Sequence, residues 1–351
     1  MALLWIDGFD SYGTSVGSAP SPAGIVGRKY ATVHEDQIDI ENGRLGGYGA
    51  QLQYDFNLQI AAPAITTDST LVVGFAFHFK TNLPANPSFL IAFYDGTQQG
   101  MNLRINSAGE IEVRRNTTSL ETTSGLGLLA GAWYYLELKV VCGSSGTYEV
   151  RLNTVTVANN GGSAINTKAG THNYHDLFMW KGTSGTWSDT DSIVIDDAYC
   201  LDGSGSVNND FLGNMRVVTL RPDEAGDSAQ FTPDTGDNYA RVNEEVCGDD
   251  SNYVEDATTG HEDLYGYAAL TGIVANIKGI MVCTDCRETD ATPFTIKTVC
   301  KPTTTDRPDA GQSVGSTTYV TKRRILETNP DGTDPWDVTS INATQFGVQV
   351  G

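Results

Sequence analysis

The acids Asp189, Asp191, Asp196 and Asp197 form the densest set of oxygen ligands in the chain, the kind that a calcium ion takes. A hydrogen-bonded strand edge is the competing use of the same residues. His172 and His175, in Thr171-His172-Asn173-Tyr174-His175-Asp176, could line a small site or hold a metal. No helix brings them onto one face, so a solvated loop is the plainer expectation. Cys283-Thr284-Asp285-Cys286 has the spacing of half a zinc knuckle or a redox pair. It lies in an apparent strand, where an offset of three puts the sulfurs on opposite faces, and no second pair follows at knuckle spacing. Tyr174, Trp180 and Trp187 flank Gly/Ser/Thr loops and are the candidates for stacking on sugar faces, with core or interface packing as the alternative.

Covalent glycoside hydrolysis on a β-sandwich needs a nucleophile, a helper acid and a proton donor alternating along one strand. The nearest match is Gln37-Ile38-Asp39-Ile40-Glu41-Asn42, which puts an amide where the nucleophile must stand. No nucleophile elbow, P-loop or dinucleotide fingerprint falls in a strand–turn–helix setting. The expectation is a chain that binds or builds and is not an enzyme.

The elements that must carry these residues are strands. Residues 131–157 read as a hairpin in which Tyr134, Leu136, Leu138 and Val140 share one face, and Trp133, Tyr135, Glu137, Lys139 and Val141 the other. Gly143-Ser144-Ser145-Gly146 makes the turn. Val73, Phe75, Phe77 and Phe79 form one aromatic face of a strand over 70–80. Further strands fit 1–12, 50–60, 88–95, 101–106, 110–115, 175–181 and 192–201. Beyond them come 215–220, 264–270, 276–286, 293–301, 317–327 and 344–350. One short helix fits 337–344, with Thr339 or Ser340 as its cap. The fold class is therefore all-β: a jelly-roll sandwich over 1–205, a linker at 206–211 and a smaller β-sandwich over 212–351.

The 351 residues suit two such domains, and a net charge of −21 excludes a generic binder of phosphate backbones or anionic membrane. The acids are spread evenly, 21 in residues 1–211 and 22 in 212–351, so the charge is a solvated surface and no tail. No signal-peptide order and no membrane-length apolar run is found. The six cysteines are expected as free thiols ahead of bridges.

With those strands placed, residues 1–200 resemble the laminin-G/concanavalin-A-like jelly rolls, through Gly131-Ala132-Trp133 leading its hairpin and the late Asp196-Asp197 strand. The opening Met1-Ala2-Leu3-Leu4-Trp5-Ile6-Asp7-Gly8-Phe9-Asp10 is similar to the start of tailed-bacteriophage structural proteins. So is Leu212-Gly213-Asn214-Met215-Arg216-Val217-Val218-Thr219-Leu220-Arg221-Pro222, followed by Tyr253-Val254 and Asp263-Leu264-Tyr265. The resemblance implies a virion protein on the particle exterior, in a neck or tail appendage or fibre, with capsid decoration as the alternative. It implies assembly in the host cytoplasm and no catalytic residues. The implied partners are other virion proteins, further copies of the chain within the particle, and a host-surface glycan. Neither nucleic acid nor membrane is expected.

Overall fold

The computed structural model describes residues 2–13, 29–30, 32–33, 38–52, 57–61, 65, 67–181, 192–245, 250–272, 276–290 and 292–351. The chain is all-β and divides into two compact units, Met1–Val217 and Val218–Gly351.

The strands of the first unit are β1 (Leu3–Asp7), β2 (Thr32–Val33), β3 (Ile38–Asn42), β4 (Tyr48–Leu52), β5 (Asn57–Ala61), β6 (Thr70–Phe79), β7 (Ser88–Asp95) and β8 (Gln98–Ile105). They continue with β9 (Ile111–Arg115), β10 (Thr118–Thr122), β11 (Tyr134–Val141), β12 (Thr147–Leu152), β13 (Val155–Asn159), β14 (Leu177–Lys181) and β15 (Ile193–Asp202). Among the described residues they form two antiparallel sheets. The first runs β13-β12-β11-β6-β15-β4-β3, with β1 also on β15; the second runs β10-β9-β8-β7-β14-β5-β2.

Period-two patterning places the core between them. Val73, Phe75, Phe77 and Phe79 of β6 are fully buried beside Leu136, Leu138 and Val140 of β11, in a register that pairs Leu136 with Phe75 and Leu138 with Val73. The second sheet contributes Ile91, Phe93, Leu103, Val113, Phe178 and Trp180. Trp180 meets the edges of Phe75 at 5.5 Å and Phe178 at 5.4 Å, contacts worth about 0.5–1.5 kcal/mol each beyond area burial.

The second unit holds β16 (Pro222–Ala229), β17 (Thr232–Pro233), β18 (Val254–Glu255), β19 (Glu262–Tyr267), β20 (Ile280–Cys286), β21 (Phe294–Lys301), β22 (Arg307–Pro308), β23 (Gln312–Val314), β24 (Val320–Leu326), α1 (Val338–Asn342) and β25 (Gln345–Val350). A sheet ordered β16-β19-β25-β21-β22, with β23 also on β21, is accompanied by the pairs β20–β24 and β17–β18. Cys300, Phe346 and Trp336 pack with Leu326, Ile280 and Val282 to form one core, so the β20–β24 pair covers the larger sheet.

Two local expectations are corrected. The cap of α1 is Asp337, whose carboxylate accepts from Ser340 N at 2.6 Å while Ser340 Oγ accepts from Asp337 N at 3.1 Å. Residues 215–220 form no strand: the Val217 N–H donates to Asp197, and Met215 O accepts from the Arg44 guanidinium. Residues 206–217 accordingly fall within the first unit. Cys142, Cys200, Cys283, Cys286 and Cys300 are free thiols, and Cys247 lies outside the described residues.

Candidate functional site

The acid pair is built into a bulge of β15. The register with β6 slips between Asp196 and Tyr199, and Asp197 takes φ 51°. Asp196 accepts from Asp197 N at 2.6 Å and from Arg44 N at 2.7 Å. Asp197 accepts from Val217 N at 2.7 Å and pairs with the Arg44 guanidinium at 2.8 Å. Burial, and then the charge of Asp197, pushes Asp196 up to about 8; burial also raises Asp197, against the pull of the Val217 amide and Arg44.

Beside it, Glu137 of β11 is fully buried on the face away from the core. It accepts from Tyr199 Oη at 2.5 Å and from Gly213 N at 2.8 Å, while the Tyr199 hydroxyl accepts from Leu212 N at 3.1 Å. Gly213 has φ 85°, the left-handed conformation that glycine adopts without strain, and a Cβ at Gly74 would overlap the Tyr199 ring. These acids form a latch that holds residues 212–217 on the outer face of the first sheet. Asp196 and Asp197 are thus engaged with protein donors, and no group of three or more His, Cys, Asp or Glu side chains could hold a metal among the described residues. Asp189, Asp191 and Trp187 lie outside the described residues, as does Gln37.

Trp180 is corrected as a sugar-stacking residue. Phe178 and Trp180 alternate inward on β14, and Trp180 is fully buried, leaving no ring face for a ligand. Tyr174 is the candidate that the fold presents at the surface. Its ring stacks on His172 with centroids 4.7 Å apart and planes 16° apart. Asp95, at the end of β7, fixes that histidine twice, through Nδ1 at 2.6 Å and the backbone N at 3.0 Å. Burial opposes ionisation of Asp95, but the two bonds from His172 outweigh it and hold the carboxyl below its usual value. Asp176 accepts from Gly96 N at 2.9 Å, tying the same loop to the β7–β8 turn. His175, between them, is 1% exposed, and neither ring nitrogen has a partner among the described residues. Burial takes it down to about 4, with Asp95 pulling the other way, so the ring is neutral at pH 7.

The outward face of the second sheet lies beside this loop. Leu177 pairs with Tyr94, and Tyr94 with Gln99; the next row across the sheet is Met179, Ala92, Asn102 and Arg114. A third row runs Phe89, Arg104, Glu112. The β14–β7 side of this face is apolar and the β8–β9 side polar. The sequence did not single out these residues. The available signal was a pair of arginines at outward positions in a chain of strong negative charge.

No family model matches this chain, and no curated protein sequence does. Solved structures similar to it include the alginate lyase Aly36B (11% identity, TM-score 0.42, over 56% of this chain and 95% of that one). Another is an endo-β-1,4-glucuronan lyase from the fungus Trichoderma reesei (14% identity, TM-score 0.37, over 54% and 95%). A third is the receptor-binding domain of a botulinum neurotoxin of mosaic serotype C/D (12% identity, TM-score 0.37, over 48% and 42%). At these identities the likeness concerns the jelly-roll fold. The expectation that the chain is not an enzyme is corrected: two of these similar structures are, by name, glycan lyases.

Proposed function

We propose that this chain is a structural protein on the exterior of a bacteriophage particle, and that its jelly roll contacts a glycan of the host surface. The glycan part rests on one observation, the Tyr174–His172 stack that Asp95 clamps at the rim of the second sheet. A ring held in place before binding loses little conformational freedom when a sugar face covers it. The particle part is supported by the sequence resemblance, and the residues that carry it have physical work in the fold. Asp7 accepts from Tyr12 Oη, Tyr30 Oη, Lys29 Nζ and its own neighbour Phe9 N, at 2.7–3.0 Å. Gly213 and Val217 supply the backbone donors of the Glu137 and Asp197 latch. Retention of the full-length chain on an oligosaccharide array, compared with Tyr174→Ala, tests the glycan contact. The proposal expects binding that falls at least tenfold in the variant; equal retention of both proteins refutes it. Imaging of particles with bound antibody against the chain tests its exterior position.

A further inference from the structure

The Tyr174 platform stands next to a side chain with no place for a charge. His175 follows Tyr174 in the chain, is 1% exposed, and packs 5.5 Å from the Phe93 ring. Neither of its ring nitrogens has a hydrogen-bond partner among the described residues. On the β8 side there is no room for one: a Cβ built at Gly100 would stand 2.5 Å from Nε2. A neutral imidazole carries one N–H, whereas the protonated ring carries two and a full charge. A charge enclosed in this way, with no acceptor at either nitrogen, is costly to keep and is relieved by moving the ring to water.

The charged and titratable groups around His175 do not remove that conflict. Asp95, on β7, is the carboxylate that acts on it, but its oxygens accept from His172 Nδ1 at 2.6 Å and His172 N at 3.0 Å. Burial therefore outweighs the pull of Asp95 and takes His175 down to about 4. Burial also opposes ionisation of Asp95, but the bonds from His172 outweigh it, so the clamp stays charged at pH 5. Asp176 accepts from Gly96 N at 2.9 Å. Lys168, which donates to Thr171 O at 3.2 Å and Asn173 Oδ1 at 3.4 Å, is a cation and offers no acceptor. Cys142, which feels the Asp95 charge, is raised by burial to about 11 and stays a thiol. The loop is tied on both sides of His175: Asp95 holds residue 172, and Asp176 N donates to Tyr94 O at 3.1 Å.

We infer that His175 is an acid-operated release for the platform: uptake of a proton drives its ring out of the loop, and Tyr174, one residue away, leaves the His172 ring with it. The inference rests on the glycan-binding reading above and adds how that site is regulated, with sugar held at neutral pH and released in acid. A histidine with a pKa of 6.5 in the open loop and about 4 in the closed one favours opening by about 30-fold more at pH 5 than at pH 7.5.

The test uses the full-length chain and two readouts. Amide hydrogen exchange, corrected for its intrinsic pH dependence, reads opening of residues 171–177. The expected result is a loop that opens at least tenfold more at pH 5 than at pH 7.5 while still exchanging faster than β6. His175→Gln, which takes up no proton, should show no such rise, and His175→Leu should match it, so that a folding defect in one variant leaves the other to decide. The oligosaccharide best retained on the array at pH 7.5 is then followed at pH 5. Wild type should lose it severalfold and the two variants should keep it. An equal rise in loop exchange in wild type and variants, or a loop that exchanges no faster than β6, overturns the inference. Equal retention by wild type at both pH values, or equal loss by wild type and variants, also overturns it. Each of these leaves the glycan reading intact if Tyr174→Ala still weakens retention at pH 7.5. Absence of retention by wild type at pH 7.5 overturns the glycan reading and the release of sugar together.

Discussion

His175→Leu tests whether the loop at 170–176 is built around a histidine that must stay neutral. The ring is 1% exposed, packs 5.5 Å from Phe93, and burial has taken its pKa from 6.5 to about 4. A histidine whose folded pKa is depressed contributes its full stability above pH 6.5 and loses it as pH falls toward 4, because only the unfolded chain takes up the proton in that window. A displacement from 6.5 to about 4 corresponds to about 3 kcal/mol once pH is below both values, and to about 2 kcal/mol at pH 5. Asp196 works in the opposite direction. Its raised pKa, about 8, makes the folded state gain stability as pH falls from 8 toward its unfolded value, so the wild-type curve alone mixes the two effects. The difference between wild type and His175→Leu isolates the histidine. Leucine branches at the same carbon and forfeits no hydrogen bond, since neither ring nitrogen has one among the described residues. Urea unfolding of the first unit, followed by its buried tryptophans at pH 7.5, 6 and 5, reads the difference. The expected result is a variant that gains about 2 kcal/mol on the wild type between pH 7.5 and pH 5. A constant difference across that range refutes the reasoning, because it means that His175 is paired or hydrated in solution.

Other expectations follow from the packing and the latch. Trp180→Ala removes a fully buried ring from the middle of the core and should cost about 3–5 kcal/mol in chemical unfolding, an effect that a surface sugar platform would not show. Glu137→Ala strips the acceptor from Tyr199 and Gly213 and should free residues 212–217, so that limited trypsin cuts after Arg216 at least tenfold faster while the β-sheet circular dichroism is retained. Asp337→Ala removes the α1 cap and should lower the urea midpoint of the second unit, with that of the first unit unchanged.

Local alternation made much of the fold legible. The faces of β6 and β11 could be read from Val73, Phe75, Phe77 and Phe79 and from Leu136, Leu138 and Val140, because a period of two needs only neighbouring residues. The same alternation misleads at 215–220, where the backbone N–H of Val217 is taken by the Asp197 carboxylate and no strand pairs with the segment among the described residues. Trp180 was misread because its closeness to a polar loop said nothing about which face of β14 turned inward. The clamp on Tyr174 was out of reach for a different reason. Asp95 and His172 are 77 residues apart and meet only once β7 and β14 pair. Asn102, Arg104 and Arg114 likewise share a face through the β8–β9 register, which outward polar residues do not announce.

The central claim is that a sugar face covers the Tyr174 ring at the rim of the second sheet. Backbone amide shifts of the labelled chain, followed while the oligosaccharide best retained on the array is added, address it most directly. Movement concentrated at residues 94–96 and 172–176 is the predicted result. Saturable movement elsewhere, on the first sheet or in Val218–Gly351, with those residues still, would contradict it.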